Sequence, residues 1–401
     1  MIRSALLLCA ALLAAVTFGC VPPPAPLGPG LVASPPFGGG RGHLLSTCAA
    51  TDFASAVQVL SPGYDPTKFT VPAAGTTTQL GSDTQTWKDL VAAFSAAPPW
   101  FQDKLCDIKI YIDSTDCSPD TPPCFAAHSW AYRDPNDTSK YYIALSQRLW
   151  DAGPAPIYSA YETALLTQVM RALGMPWSSA TIRAPEFAHA KNGDIDVDVP
   201  GLGILGALAH EYGHILWYYL LKSPLDDAYD ANTFCRTDQS VKNDGFFDKN
   251  WKVPVHRPPQ WLNFTDTAYN DQHSYGMIQI SHLYKDIHDD GRYDKAAKRL
   301  NYLYSSDKNN RDGVWASLFG AVSPEEDFVE TLKLLVMTDV KTNIGAPVTS
   351  MQLKLYAIDN SNVPNFQPDL YNDFVNQNKK ELKRKIDCIT NLYTQRYRLL
   401  R

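Results

Sequence analysis

What this sequence is short of narrows its function first. Basic residues are outnumbered, 36 Lys and Arg against 42 Asp and Glu, for a net charge of −6. A surface that neutralises phosphates needs the opposite excess, so nucleic acid is excluded as a partner. Cysteine is sparse, eight in 401 residues, and no two cysteines form a CxxC pair. That excludes zinc ribbons and cysteine-rich metal clusters. There is no internal repeat, and neither Asp-rich stretch, Asn192 to Asp198 or Asp289 to Asp294, has the loop spacing of an EF-hand. Beyond residue 20, only Gly201 to Leu221 is apolar over the length of a bilayer. A lone span could not screen a polar site from lipid, so an intramembrane enzyme is excluded too.

Residues 1–19 have the marks of an export signal: Arg3, an apolar run from Ala5 to Phe18, and the small Gly19. Val16 to Cys20 resembles a bacterial lipoprotein cleavage site, at which the Cys20 thiol is acylated. Membrane contact is therefore expected only through an N-terminal lipid anchor. The expected location is the bacterial cell envelope, on its periplasmic or surface face, or the medium. Residues 20–43 are rich in Pro and Gly and predict an extended tether. Six cysteines follow the leader: Cys48, Cys106, Cys117, Cys124, Cys235 and Cys388. An even number in an exported chain predicts up to three disulfides, with Cys117 and Cys124 the nearest local pair.

The chain divides into an N-terminal lobe, 44–221, and a C-terminal lobe, 222–401. In the first, Ile108 to Ile112 and Tyr141 to Leu145 are β-branched and aromatic runs that predict strands. Tyr161 to Leu173 changes to helical spacing, so this lobe reads as α+β. The second lobe reads as mostly helical. Near its end Leu382, Ile386, Ile389 and Tyr393 share a face, and the neighbouring Lys and Arg residues read as solvated.

Gly201 to Leu221 is apolar almost all round, which predicts a helix buried on every side. Within it lies His210-Glu211-Tyr212-Gly213-His214. The histidines are one turn apart on one face, where two imidazoles can reach a single metal ion. Glu211 projects beside that ion, the place for a carboxylate that takes a proton from an attacking water. A dication also answers the cost of burying these groups, which otherwise amounts to several kcal/mol each. Gly213 costs about 1 kcal/mol relative to Ala in a helix, which predicts another backbone close against it.

Two histidines leave a catalytic zinc one protein ligand short. Trp217 and Leu220 stand where a Gly and a third His would continue a metzincin motif. Ser323 to Thr331 instead predicts a helix opened by Pro324, with Glu326 and Glu330 one turn apart on a shared face. Glu326 is the candidate third ligand, and Glu330 the candidate acceptor for the free ring N–H of a ligand histidine. His273 and His282 are rival ligands.

These two motifs resemble those of gluzincins, in particular exported bacterial zinc-binding metallopeptidases and lethal-factor-like proteases, which have a Glu-Asp-Phe-Ala-Glu-Thr type run after HExxH. The resemblance implies a zincin-like fold of two lobes, with the active-site helix between a small sheet and a mostly helical lobe. It implies one Zn2+ per chain on His210, His214 and Glu326, with Glu211 as general base and Glu330 supporting a ligand. It also implies a peptide or protein substrate. The interval from His214 to Glu326 predicts an insertion at about 222–310. Phe319 stands where lethal-factor-like proteins have a tyrosine that steadies the oxyanion. Tyr275, Tyr304 and His273 are the candidate replacements. The reading from another class is a non-catalytic zinc-binding envelope lipoprotein, a pseudo-peptidase acting as a binding module.

Overall fold

The computed structural model describes residues 48–61, 76–113, 129–133, 141–151, 157–172, 186–191, 195–196, 201–216, 286, 293–304, 316–318, 320, 324–340, 350–354, 366, 369–370, 385–386 and 389–390. The leader, Cys20, the tether, Cys117, Cys124, Cys235, Cys388, His273, Tyr275, His282 and Phe319 lie outside them, as does nearly all of the expected insertion.

The described elements are α1 (Ala50–Ala56), β1 (Gln58–Leu60), β2 (Thr77–Gln79), α2 (Gln85–Ala96), α3 (Pro99–Cys106), β3 (Lys109–Asp113), β4 (Ser129–Arg133), β5 (Tyr141–Ser146), α4 (Arg148–Asp151), α5 (Tyr158–Ala172), β6 (Glu186–Lys191), β7 (Ile195–Asp196), α6 (Leu202–Ile215), α7 (Tyr293–Tyr304), α8 (Pro324–Thr338) and β8 (Ser350–Lys354). Five strands form one sheet in the order β2-β1-β3-β5-β4. Its centre is parallel, with Ile110 opposite Ile143 and Ile112 opposite Leu145. Every residue of β5 is buried, as expected for a strand covered on both faces. Strand β4 pairs antiparallel with β5 and is an edge of the sheet among the described residues.

A smaller sheet runs β7-β6-β8. Here β8, from the part of the chain read as helical, pairs antiparallel with β6 from Glu186 opposite Lys354 to Ala190 opposite Ser350. The sequence offers little sign of β8, because Ser350 to Lys354 is only five residues long and three of them, Ser350, Gln352 and Lys354, are polar.

Helix α6 is buried along its whole length apart from His210. It opens at Gly201, whose φ of 94° is left-handed. A Cβ there would lie 2.6 Å from Asp89 O and 2.8 Å from Ala93 N of α2, so only glycine fits. On another side, Tyr212 packs edge-on against Phe101 of α3, ring centroids 5.5 Å apart. At Gly213, an added Cβ would stand 3.0 Å from Val329 Cα, which identifies α8 as the close backbone. The α8 helix is held at both ends. Asp339, just past its C-terminus, accepts from Trp100 Nε1 at 3.2 Å, and Asp327 in its first turns pairs with Lys385 at 2.7 Å. Lys385 and Asp327 are both buried, so this lysine of the final stretch is not on a solvated face. A disulfide joins Cys48 to Cys106, linking the start of α1 to the end of α3. No helix among the described residues is long and apolar enough to cross a membrane.

Candidate metal centre

Helix α6 presents His210 and His214 with their rings edge to face, centroids 4.8 Å apart and planes at 77°. The two Nε2 atoms are 3.1 Å apart. Glu326 of α8 meets both: one carboxylate oxygen is 3.8 Å from His210 Nε2 and the other 3.8 Å from His214 Nε2. The ligand atoms of the three residues all lie within 4.8 Å of one another. His214 and Glu326 are buried, whereas the His210 side chain keeps 16% of its surface exposed, so the cluster meets solvent on that side.

His210 Nδ1 lies 2.7 Å from Glu330 Oε1. An ionised carboxylate only accepts, so Nδ1 carries a proton and Nε2 of the neutral ring offers a lone pair. A second imidazole nitrogen at 3.1 Å fits either an N–H···N hydrogen bond or a metal ion shared by the two. Two nitrogens on one tetrahedral zinc, each bonded at 2.0–2.1 Å, stand roughly 3.3 Å apart. Two imidazoles at this spacing with a carboxylate beside them are a donor set that could hold a metal ion.

Glu211 follows His210 on α6 and is 1% exposed. Its Oε1 accepts a 2.6 Å hydrogen bond from Ser129 Oγ, at the start of edge strand β4. Through this pair the large sheet touches the centre.

Behind the ligands lies a buried ionic chain. Glu330 gives Oε1 to His210 and Oε2 to Lys333 Nζ at 2.7 Å, and Lys333 reaches Glu162 of α5 at 2.6 Å. Burial pushes the Glu330 carboxyl up, but the Lys333 ammonium and the His210 N–H outweigh it and hold the group well below the usual carboxylate range. For Lys333, burial acts downward, and Glu162 with Glu330 reverse it, leaving the ammonium well above its ordinary value. At Glu162 desolvation prevails over Lys333 and raises the carboxyl. Tyr161 presents its ring 5.7 Å from Lys333 Nζ.

Of the residues singled out in the sequence, His210, His214, Glu326, Glu330 and Glu211 come together here. The buried hydroxyl of Tyr304 accepts from the Leu318 N–H at 2.8 Å and fixes that turn, with burial pushing the phenol up. The sequence reading passed over Ser129, Glu162 and Lys333. Lys333 had one signal, its place three residues after Glu330 on a helix. Ser129 had none, because only sheet topology brings β4 to α6. Compared with known protein families, curated proteins and solved structures, the chain matches none of them.

Proposed function

We propose that this chain is a zinc-dependent peptidase of zincin-like α+β architecture. The observation that carries the reading is the meeting of His210, His214 and Glu326 at one point on α6, with Glu211 issuing from the adjacent residue. Bound there, zinc would supply Lewis acidity toward a substrate carbonyl and bring the pKa of a water toward neutrality. The chain's own groups supply the remainder. Ser129 fixes one oxygen of Glu211, which leaves the carboxylate oriented to take the water's proton and to pass it to the leaving amine. Among the described residues β4 has a strand neighbour on one side only, and its other side would suit an extended peptide; its first residue already touches Glu211. A peptide seated along β4 would bring its carbonyls past the ligands.

Three protein donors among the described residues favour catalysis over a structural site, which is normally closed by four. The Cys48–Cys106 disulfide supports an oxidising compartment, in keeping with an exported enzyme. Zinc content and cleavage of a mixed peptide library test the reading. Glu211→Gln should keep stoichiometric zinc and lose about a thousandfold in turnover, as removal of a general base does. His214→Ala should lose both metal and turnover. Equal cleavage by wild type and Glu211→Gln would remove Glu211 from the mechanism.

A further inference from the structure

We propose that Lys333 is a positioning residue for the metal centre: its ammonium clamps Glu330 against the His210 Nδ1–H, and so aims His210 Nε2 at the metal. The proposal rests on the metal-centre reading above.

The geometry divides the Glu330 carboxylate between two partners, with Oε1 at 2.7 Å from His210 and Oε2 at 2.7 Å from Lys333. A carboxylate gripped at both oxygens cannot turn about its last bond without losing one of them. Held that way, it restricts the imidazole to one ring orientation and one tautomer, the tautomer with Nε2 free to bind metal. Neither Glu330 nor Lys333 is in contact with bulk water, at 0% and 2% exposure, so solvent cannot stand in for either grip. Inside a protein a carboxylate facing only a neutral imidazole is poorly compensated, and the ammonium supplies the missing charge.

Glu162 completes the device. It faces Lys333 from α5, 2.6 Å away, so the ammonium is pulled from two helices at once and is centred between them. Glu330 is the member of this trio in direct contact with His210, a side chain of the proposed metal site. A negative neighbour on Nδ1 raises the donor strength of Nε2. The chain Glu162–Lys333–Glu330–His210 thus links α5, α8 and α6 through side chains, and it ends on the ring of a ligand residue.

The test uses the full chain and two variants. Lys333→Met leaves two carboxylates facing each other in the interior. Glu162→Gln/Lys333→Met removes equal and opposite charges and is the variant expected to fold. Zinc affinity is measured by competition with a chromophoric chelator. The His210 ring is followed by 15N-histidine NMR in zinc-free and zinc-loaded protein. The double variant should lose about 10- to 100-fold in zinc affinity, the usual effect of removing support from a ligand. It should also lose the slowly exchanging His210 Nδ1–H resonance, while circular dichroism stays unchanged. A folded double variant with wild-type zinc affinity and an intact Nδ1–H resonance would overturn the clamp. If wild-type protein takes up no zinc at micromolar concentration, the metal-centre reading is what fails. The zinc-free resonance then decides the clamp alone, and its persistence in the double variant overturns it.

Discussion

At the scale of single residues, Gly213 does more for the centre than its size suggests. Val329 lies between Glu326 and Glu330 in sequence, and its Cα would be 3.0 Å from a Cβ at position 213. Backbone cannot yield as a side-chain tip does. Gly213→Ala should therefore push α8 away from α6, cost about 1–3 kcal/mol as overpacking does, and carry both glutamates off the histidines. Urea unfolding and zinc competition check this together, and unchanged zinc affinity in a destabilised variant would separate packing from the site. The chemistry at this scale was legible in the sequence. Five residues state the two histidines and the base, and a glycine inside an apolar helix announces a close neighbour. Lys333 was not legible, because a lysine three residues after a glutamate reads as an exposed helix pair. Only burial of that helix face turns the pair into an internal link.

Among elements, the anchoring of α8 and α3 governs how well the centre is held. Helix α3 touches both helices of the site, through Phe101 to Tyr212 and through Trp100 to Asp339. The Cys48–Cys106 bridge ties the end of α3 to a point 58 residues earlier. Closing a loop of that length removes about 4 kcal/mol of freedom from the unfolded chain on the chain-entropy estimate. Cys48→Ser/Cys106→Ser should lose up to that amount of stability while keeping zinc affinity within about threefold, since neither sulfur approaches the ligands. Chemical denaturation with and without zinc measures both. The central strands and α5, α6 and α8 were foreseeable from period and punctuation, because each buries a broad apolar face. Strand β8 and the buried Lys385 were not. Their environments are made by partners distant in sequence, β6 and Asp327, and no local pattern encodes such a partner.

For the molecule as a whole, a metal ion held at the proposed centre would join the helix of the histidines to the helix of Glu326, and it should act as a cross-link. A ligand at a thousand times its dissociation constant stabilises a fold by about 4 kcal/mol. Dialysis against a strong chelator should lower the thermal midpoint, and one equivalent of zinc should restore it. Glu326→Gln should narrow that difference. A midpoint indifferent to chelation in the wild type would leave the cluster without a cation to hold. The resemblance to zincins rested on two short motifs, and the large sheet that lies beside them was legible only in part, since β4 takes its place at the edge through pairing with β5.

The pairing of β6 with β8 also sets a timetable. A polypeptide delivered N-terminus first releases both imidazoles while the strand that completes the smaller sheet is still unmade. Glu326 and the Lys385 that anchors its helix come later still than the histidines, so at the proposed centre cation capture would fall late in maturation, after a nascent chain already has both imidazoles in hand.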